Sequence, residues 1–154
     1  AIGVSLGLSG IAAGAAVAGC CAQMVGFAAA SYRENKVGGA IAQGLGTSML
    51  QMPNIVRKPV IWLPAILTSA ILGPVSTVLL RMTSNATGSG MGTCGLVGPI
   101  MTFQTMVAEG NSAVIVLVEI LCVQIIAPIL LSLFFSEAMR RWGWIKSGDM
   151  KLEV

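Results

Sequence analysis

The chain contains no histidine, a single aspartate, and little charge of either sign: 10% of its 154 residues are Asp, Glu, Lys or Arg. Without histidine, the usual general base and a common metal ligand are both missing. Asp149, alone in a polar C-terminal tail, has no second aspartate with which to form a dyad. A soluble domain of this size carries roughly a quarter charged residues to cover its surface. No charge occurs in residues 1–32, 37–56, 59–80 or 82–108. No basic stripe with interleaved aromatics is present, which excludes nucleic acid as a partner. Cys20, Cys21, Cys94 and Cys122 lie in apolar or glycine-rich stretches and read as small membrane-core residues. Gly90 to Gly95 fits the spacing of a dinucleotide fingerprint but follows a polar loop instead of a strand, so the required context is absent. No catalytic residue, metal site or cofactor is expected.

What remains is apolar: 55% hydrophobic residues and a mean hydropathy of +0.86. Charge-free apolar runs of this length are the signature of membrane spans. Residues 1–32 carry a stripe of small residues (Gly3, Gly7, Gly10, Gly14, Ala18, Ala22, Gly26, Ala30) that lets another helix approach closely; the span proper is expected from about Gly10. Residues 59–80 form a second span, with Trp62 as an interfacial anchor and Pro64 and Pro74 able to kink it. A third runs from about Ser112 to Ser136 and ends in the cationic, aromatic belt of Arg140, Arg141, Trp142, Trp144 and Lys146. The opening inside an apolar stretch, without an initiator Met, reads as a piece of a longer or processed polypeptide.

Residues 37–56 and 82–108 are too rich in glycine and polar side chains for ordinary spans. They read as re-entrant or broken hairpins, whose irregular backbone persists only when buried in protein or lining a cavity. The expected fold is therefore an all-α integral membrane protein with about three full transmembrane helices and two such hairpins as an inverted repeat; five full spans is the alternative. Residues 1–136 form the membrane domain and 137–154 a cytoplasmic interfacial tail. With both hairpins re-entrant, Arg33, Lys36, Arg57, Lys58, Arg140, Arg141, Lys146 and Lys151 share one side, leaving Arg81 on the other with Glu109. The positive-inside rule makes the first side cytoplasmic.

The two hairpins echo each other. Gly46-Thr47-Ser48-Met49-Leu50-Gln51-Met52-Pro53 and Gly92-Thr93-Cys94-Gly95-Leu96-Val97-Gly98-Pro99 share Gly, Thr, Leu and Pro at an offset of 46 residues. Dipping from opposite sides, they form the inverted arrangement in which transporters hold a substrate near the bilayer midplane. Their Thr47, Ser48, Gln51, Asn54, Gly92, Thr93, Thr102 and Gln104 offer neutral donors and acceptors suited to a polyol or sugar; the same groups would also serve to satisfy a broken backbone. Glu119 is the one ionisable residue well inside a span and a functional candidate by default, with local pairing or snorkelling as the alternative. Gln124, Pro128 and Ser132 share a helix face that Glu119 does not.

The runs from Gly10 to Phe27, Gly44 to Asn54 and Gly90 to Pro99 resemble the EIIC-like membrane proteins of the perfringolysin O regulator family. That resemblance covers residues 3–107 well and the last span loosely. It implies a component like the sugar-translocating EIIC of bacterial phosphotransferase systems, in the inner (cytoplasmic) membrane as a multi-pass protein and as a homodimer. It implies the C-terminal half of a longer fold, with an N-terminal half of the same protein as partner alongside membrane lipid. Better-known EIIC branches place a His and a Glu around the sugar; this chain has no His, and Glu119 stands where a Glu is available. The function expected is binding or translocation of a small polar solute, a sugar, by alternating access, with no chemistry beyond the permease step. A membrane regulator of gene expression and a structural membrane subunit are the alternatives.

Overall fold

The computed structural model describes residues 2–152. A short α1 (Ile2–Ser5) precedes α2 (Gly10–Ala30). Helices α3 (Tyr32–Ile41) and α4 (Met52–Arg57) flank a glycine-rich turn, and α5 (Pro59–Leu79) follows. Helices α6 (Ala86–Met91) and α7 (Val97–Ala108) flank a second such turn before α8 (Ala113–Arg141). Three helices, α2, α5 and α8, are long and apolar enough to cross a membrane. At about 1.5 Å per residue, the 21 residues of α2 or α5 reach about 32 Å, matching a hydrocarbon core of about 30 Å. The 29 residues of α8 overshoot it and carry Arg140 and Arg141 beyond the apolar layer.

Helix α2 is the hub. Its Ala18 and Ala22 pack with Leu72, Met82, Val116 and Ile120 near one end of the bundle. Phe27 and Ala30 pack with Ile61, Ala65 and Met139 near the other. The start of α5 and the end of α8 thus both lie at the C-terminal end of α2, so α5 runs antiparallel to it and α8 parallel. Close approach depends on the small-residue stripe, of which Gly14, Ala18, Ala22, Gly26 and Ala30 are all buried. A Cβ added at Gly14 would strike the Met82 carbonyl oxygen, so a side chain there would push the link that follows α5 off the hub. Across the bundle, Thr68 and Ser132 share a hydrogen bond of 3.0 Å, and the Gln124 amide donates to Thr102 Oγ1 at 3.3 Å. Gln124, Pro128 and Ser132 are fully buried, as their shared face requires.

The spans carry local distortions where proline or polar residues interrupt them. Pro74 lies inside α5, and the next turn, Val75–Leu79, opens into a π-helix. The Ser76 and Thr77 hydroxyls donate to the Gly73 carbonyl there (2.8 and 3.2 Å), supplying partners within the distorted turn. A second π segment, Leu121–Ile126, sits in α8 and carries Gln124. Ser112 takes the N-cap position of α8 without a side-chain cap bond, while the Asn111 amide donates back to the Met106 carbonyl.

Neither glycine-rich segment crosses. The first leaves the C-terminal end of α2 through α3, turns over Ala42–Gly46 and Ser48–Gln51, and returns through α4 to the same end. The second begins where Ser84 pairs with Gly10 through two backbone bonds (3.0 and 3.2 Å), at the other end of α2. It turns near Gly92 and returns through α7 to Glu109, whose carboxylate accepts from the Thr83 hydroxyl. The three-span arrangement is therefore the one adopted, and the five-span alternative is not. Arg33 and Arg57 lie at one end, with Arg33 paired to Glu137, Lys58 to Asp149 and Arg140 to Glu34. The repeated sequences differ in local form: Thr47 is extended and leads into the 3-10 turn Ser48–Gln51 before α4, whereas Gly95 (φ +55°) and Leu96 (φ +60°) are left-handed before α7 begins.

Beyond Arg141 the tail folds back over the basic end. Asn35 clasps it twice, its Nδ2 donating to the Met150 carbonyl and its Oδ1 accepting from Leu152 N, both at 2.7 Å. Met150 is fully buried.

Candidate functional site: the pocket between two hairpins

The hairpin tips meet beside the middle of α2. Cys20 is the central residue of Gly10–Ala30, and it lines a pocket of about 380 Å³ together with Gln23 and Met24. Thr47, Ser48 and Met49 enter from the first hairpin, and Gly90, Met91 and Cys94 from the second. None of these side chains is charged.

The pocket's back wall is held by hydrogen bonds between hairpins and hub. The Thr93 hydroxyl, 2% exposed, donates to the Gly44 carbonyl and joins the two tips. Cys20 Sγ donates to the Ser89 carbonyl at 3.7 Å. Gly92 has φ +55° and lies so close to α2 that a Cβ would stand 2.9 Å from the Cys20 carbonyl carbon. Both constraints select glycine, since positive φ and close backbone approach each exclude a side chain. Gly98 N donates to the Gly92 carbonyl at 2.8 Å, closing the turn.

Gln23 enters the pocket from α2 already oriented. Its Oε1 accepts from the Trp62 indole N–H at 3.1 Å, and its Nε2 donates to Ser69 Oγ at 3.3 Å. One amide hydrogen and one lone pair remain for another partner. Sequence reading passed over Gln23, although the signal was present: it is the one amide side chain in the otherwise apolar 21 residues of α2, and polar groups at that depth tend to be functional.

The structure divides the residues expected from sequence. Thr47 and Ser48 line the pocket; Gly92 and Thr93 form the wall behind it. Thr47 Oγ1 accepts from Met49 N at 3.2 Å, so part of its capacity serves the broken backbone. Gln51 and Asn54 lie elsewhere, binding the tail: Gln51 Nε2 donates to the Met150 carbonyl at 2.9 Å, and Asn54 Nδ2 to the Lys151 carbonyl at 2.9 Å and to Gln51 Oε1 at 3.0 Å. Their spacing in the repeat matched the hairpin, but the end of the Ser48–Gln51 turn and α4 bring them to the tail at the basic end. Thr102 is buried against Gln124, and Gln104, two residues on, is exposed. Glu119 stands on α8 outside the pocket lining, with Oε2 buried and unpartnered among the described residues. No cluster of three or more His, Cys, Asp or Glu that would hold a metal ion occurs among the described residues.

At the basic end, Asp149 is the tail's electrostatic anchor. Burial alone would raise its carboxyl, but hydrogen bonds from the Lys58 side chain and from Lys146 N, with both lysine charges, outweigh it and hold the group below its ordinary value.

Three spans around two hairpins that enter from opposite ends, with a neutral pocket where they meet, define an all-α membrane protein of transporter type. The chain matches the family model described as phosphotransferase system, EIIC, over residues 1–152, and it belongs to that family. It is thus a membrane component of phosphotransferase-type transport. Neither curated proteins nor solved structures give a match.

Proposed function

We propose that the chain binds and translocates a small neutral polar solute, a sugar, at the pocket between the hairpins, by alternating access. The observation that carries this reading is the meeting of two oppositely directed hairpins at the midpoint of α2, around a pocket lined by Thr47, Ser48 and Gln23 and without a charge. A sugar hydroxyl needs both donors and acceptors, and hydroxyl and amide side chains supply both. The pocket's size falls within the usual range for small-molecule sites, about 300–1,000 Å³. Access from either side requires one hairpin to withdraw from the other, and the Thr93–Gly44 bond is the link that must open. Gly92 and Thr93 shape the wall, while Gln51, Asn54, Gln104 and Glu119 act outside the solute's contacts. The basic end faces the cytoplasm under the positive-inside rule, which orients a multi-pass protein of a bacterial inner membrane; a homodimer and an N-terminal half of the same protein complete the proposed assembly.

The test is uptake of labelled sugars and polyols into proteoliposomes holding the purified protein. Saturable uptake that falls in Gln23→Ala and Ser48→Ala, with Glu119→Gln unchanged, supports the pocket. Absence of saturable uptake or binding for every compound tried would remove the transport reading. Uptake sensitive to Glu119→Gln and indifferent to Gln23→Ala would move the site to α8.

A further inference from the structure

A second groove lies on the other side of α2, at the basic end. Val25, Ala28 and Ala29 of α2 face Ile129 and Leu133 of α8 across an apolar channel of about 260 Å³, closed on a third side by Tyr32. It runs directly into a groove of about 470 Å³ that shares Ala29, Tyr32 and Leu133 and adds Arg33, Glu137 and Arg140. A third hollow continues past Glu137 to Arg141 and Trp142. Along one line the surface changes from purely apolar, at hydrocarbon depth, to cationic, where α8 leaves the apolar layer. That order is the order of groups in an amphiphile.

We propose that this groove binds one anionic phospholipid, with an acyl chain along α2 and α8 and the phosphate held by Arg33 and Arg141. The charge balance selects an anionic headgroup. Arg140 is committed to Glu34 at 2.8 Å, with both side chains largely buried (12% and 8% exposed). Arg33 is 71% exposed and its pair with Glu137, itself 43% exposed, spans 3.2 Å; a pair so open to water is weak and exchanges readily for a phosphate. Arg141 makes no ion pair among the described residues and flanks Glu137 on the far side. The rim is left with one more cation than anion, and guanidinium groups suit a phosphate's bidentate geometry. Trp142 beside Arg141 is the amphipathic side chain favoured at headgroup level. Because Tyr32 begins α3, the lipid ties the base of the first hairpin to α8.

The experiment measures thermal unfolding of the full chain, purified in a neutral detergent, against added phosphatidylglycerol or phosphatidylcholine of identical acyl chains. Phosphatidylglycerol should raise the midpoint saturably, and phosphatidylcholine should bind more weakly by roughly tenfold or more. Arg33→Gln with Arg141→Gln should erase that difference while leaving the lipid-free midpoint near the parent's, since neither residue is buried. Ala29→Leu should block both lipids by filling the channel, as should, where that variant fails to fold, Ala40→Leu, since Ala40 of α3 also lines the channel. Equal response to the two lipids, or a double variant that still prefers phosphatidylglycerol, overturns the headgroup assignment. Inorganic phosphate reproducing the whole shift, or channel-filled variants responding as the parent does, overturns the lipid itself.

Discussion

The hydroxyl of Thr93 donates to the carbonyl of Gly44, so that the tip of a hairpin entering from one end holds the tip of a hairpin entering from the other. Forty-nine residues apart in sequence, the two meet beside Cys20 at the middle of α2. The proposed opening of the pocket to either side would break this contact.

Thr93→Val keeps the shape and removes the donor. The loss should cost about 0.6 kcal/mol, and at most about 1.7, in line with hydrogen bonds between membrane helices. The larger effect should be on access, with Cys20 and Cys94 reacting faster with a water-soluble thiol reagent. Unchanged labelling rates at both cysteines would show that the tips separate without this bond.

Gly92→Ala places a methyl against the Cys20 backbone at a residue with φ +55°. Strain and overpacking together should lower stability by about 1–3 kcal/mol, with Gly46→Ala, which meets nothing within 4 Å, as the mild control. Thermal unfolding in detergent checks this. Equal midpoints for the two variants would mean the second turn is not packed on α2.

Asn35→Ala removes both clasps on the tail, at Met150 and Leu152. Each bond is worth about 1 kcal/mol, so the tail should detach while the spans stay folded. Limited trypsin digestion should then cut at Lys146 and Lys151 faster than in the parent, and Gln51→Leu should act in the same direction. A cutting rate equal to the parent's would show that the Gln51 and Asn54 bonds and the Lys58–Asp149 pair hold the tail without Asn35.

Acid should release the tail as well. The Asp149 carboxyl is held below its ordinary value, so its contribution to stability is complete above the unfolded carboxylate pKa of about 3.9 and disappears as pH falls through the lower folded value. Partial exposure of Lys58 and Asp149 screens the effect and keeps it modest. Tail cleavage by an acid-active protease should therefore rise below about pH 4 in the parent, and Asp149→Asn should already cleave fast at about pH 5, where the parent's carboxylate is still charged, and change little on further acidification.

Hydropathy and charge, which are local, were enough to place the spans. A stretch either is or is not apolar for 20-odd residues, and the observed Gly10–Ala30, Pro59–Leu79 and Ala113–Arg141 fall on the three apolar runs, the third despite Glu119 and running on past the expected Ser136. The small-residue face of α2 and the gathering of Arg33, Arg57 and Arg140 at one end were equally legible, because lipid penalises a buried charge wherever it occurs. Only the tertiary structure decided which polar groups face the pocket. Gln51 and Asn54 have the same chemistry as Gln23, yet the Ser48–Gln51 turn and α4 turn them to the tail, while α2 and Trp62 turn Gln23 inward. Side-chain partnership depends on contacts 39 to 99 residues apart, and no periodicity along one chain encodes which distant backbone will arrive.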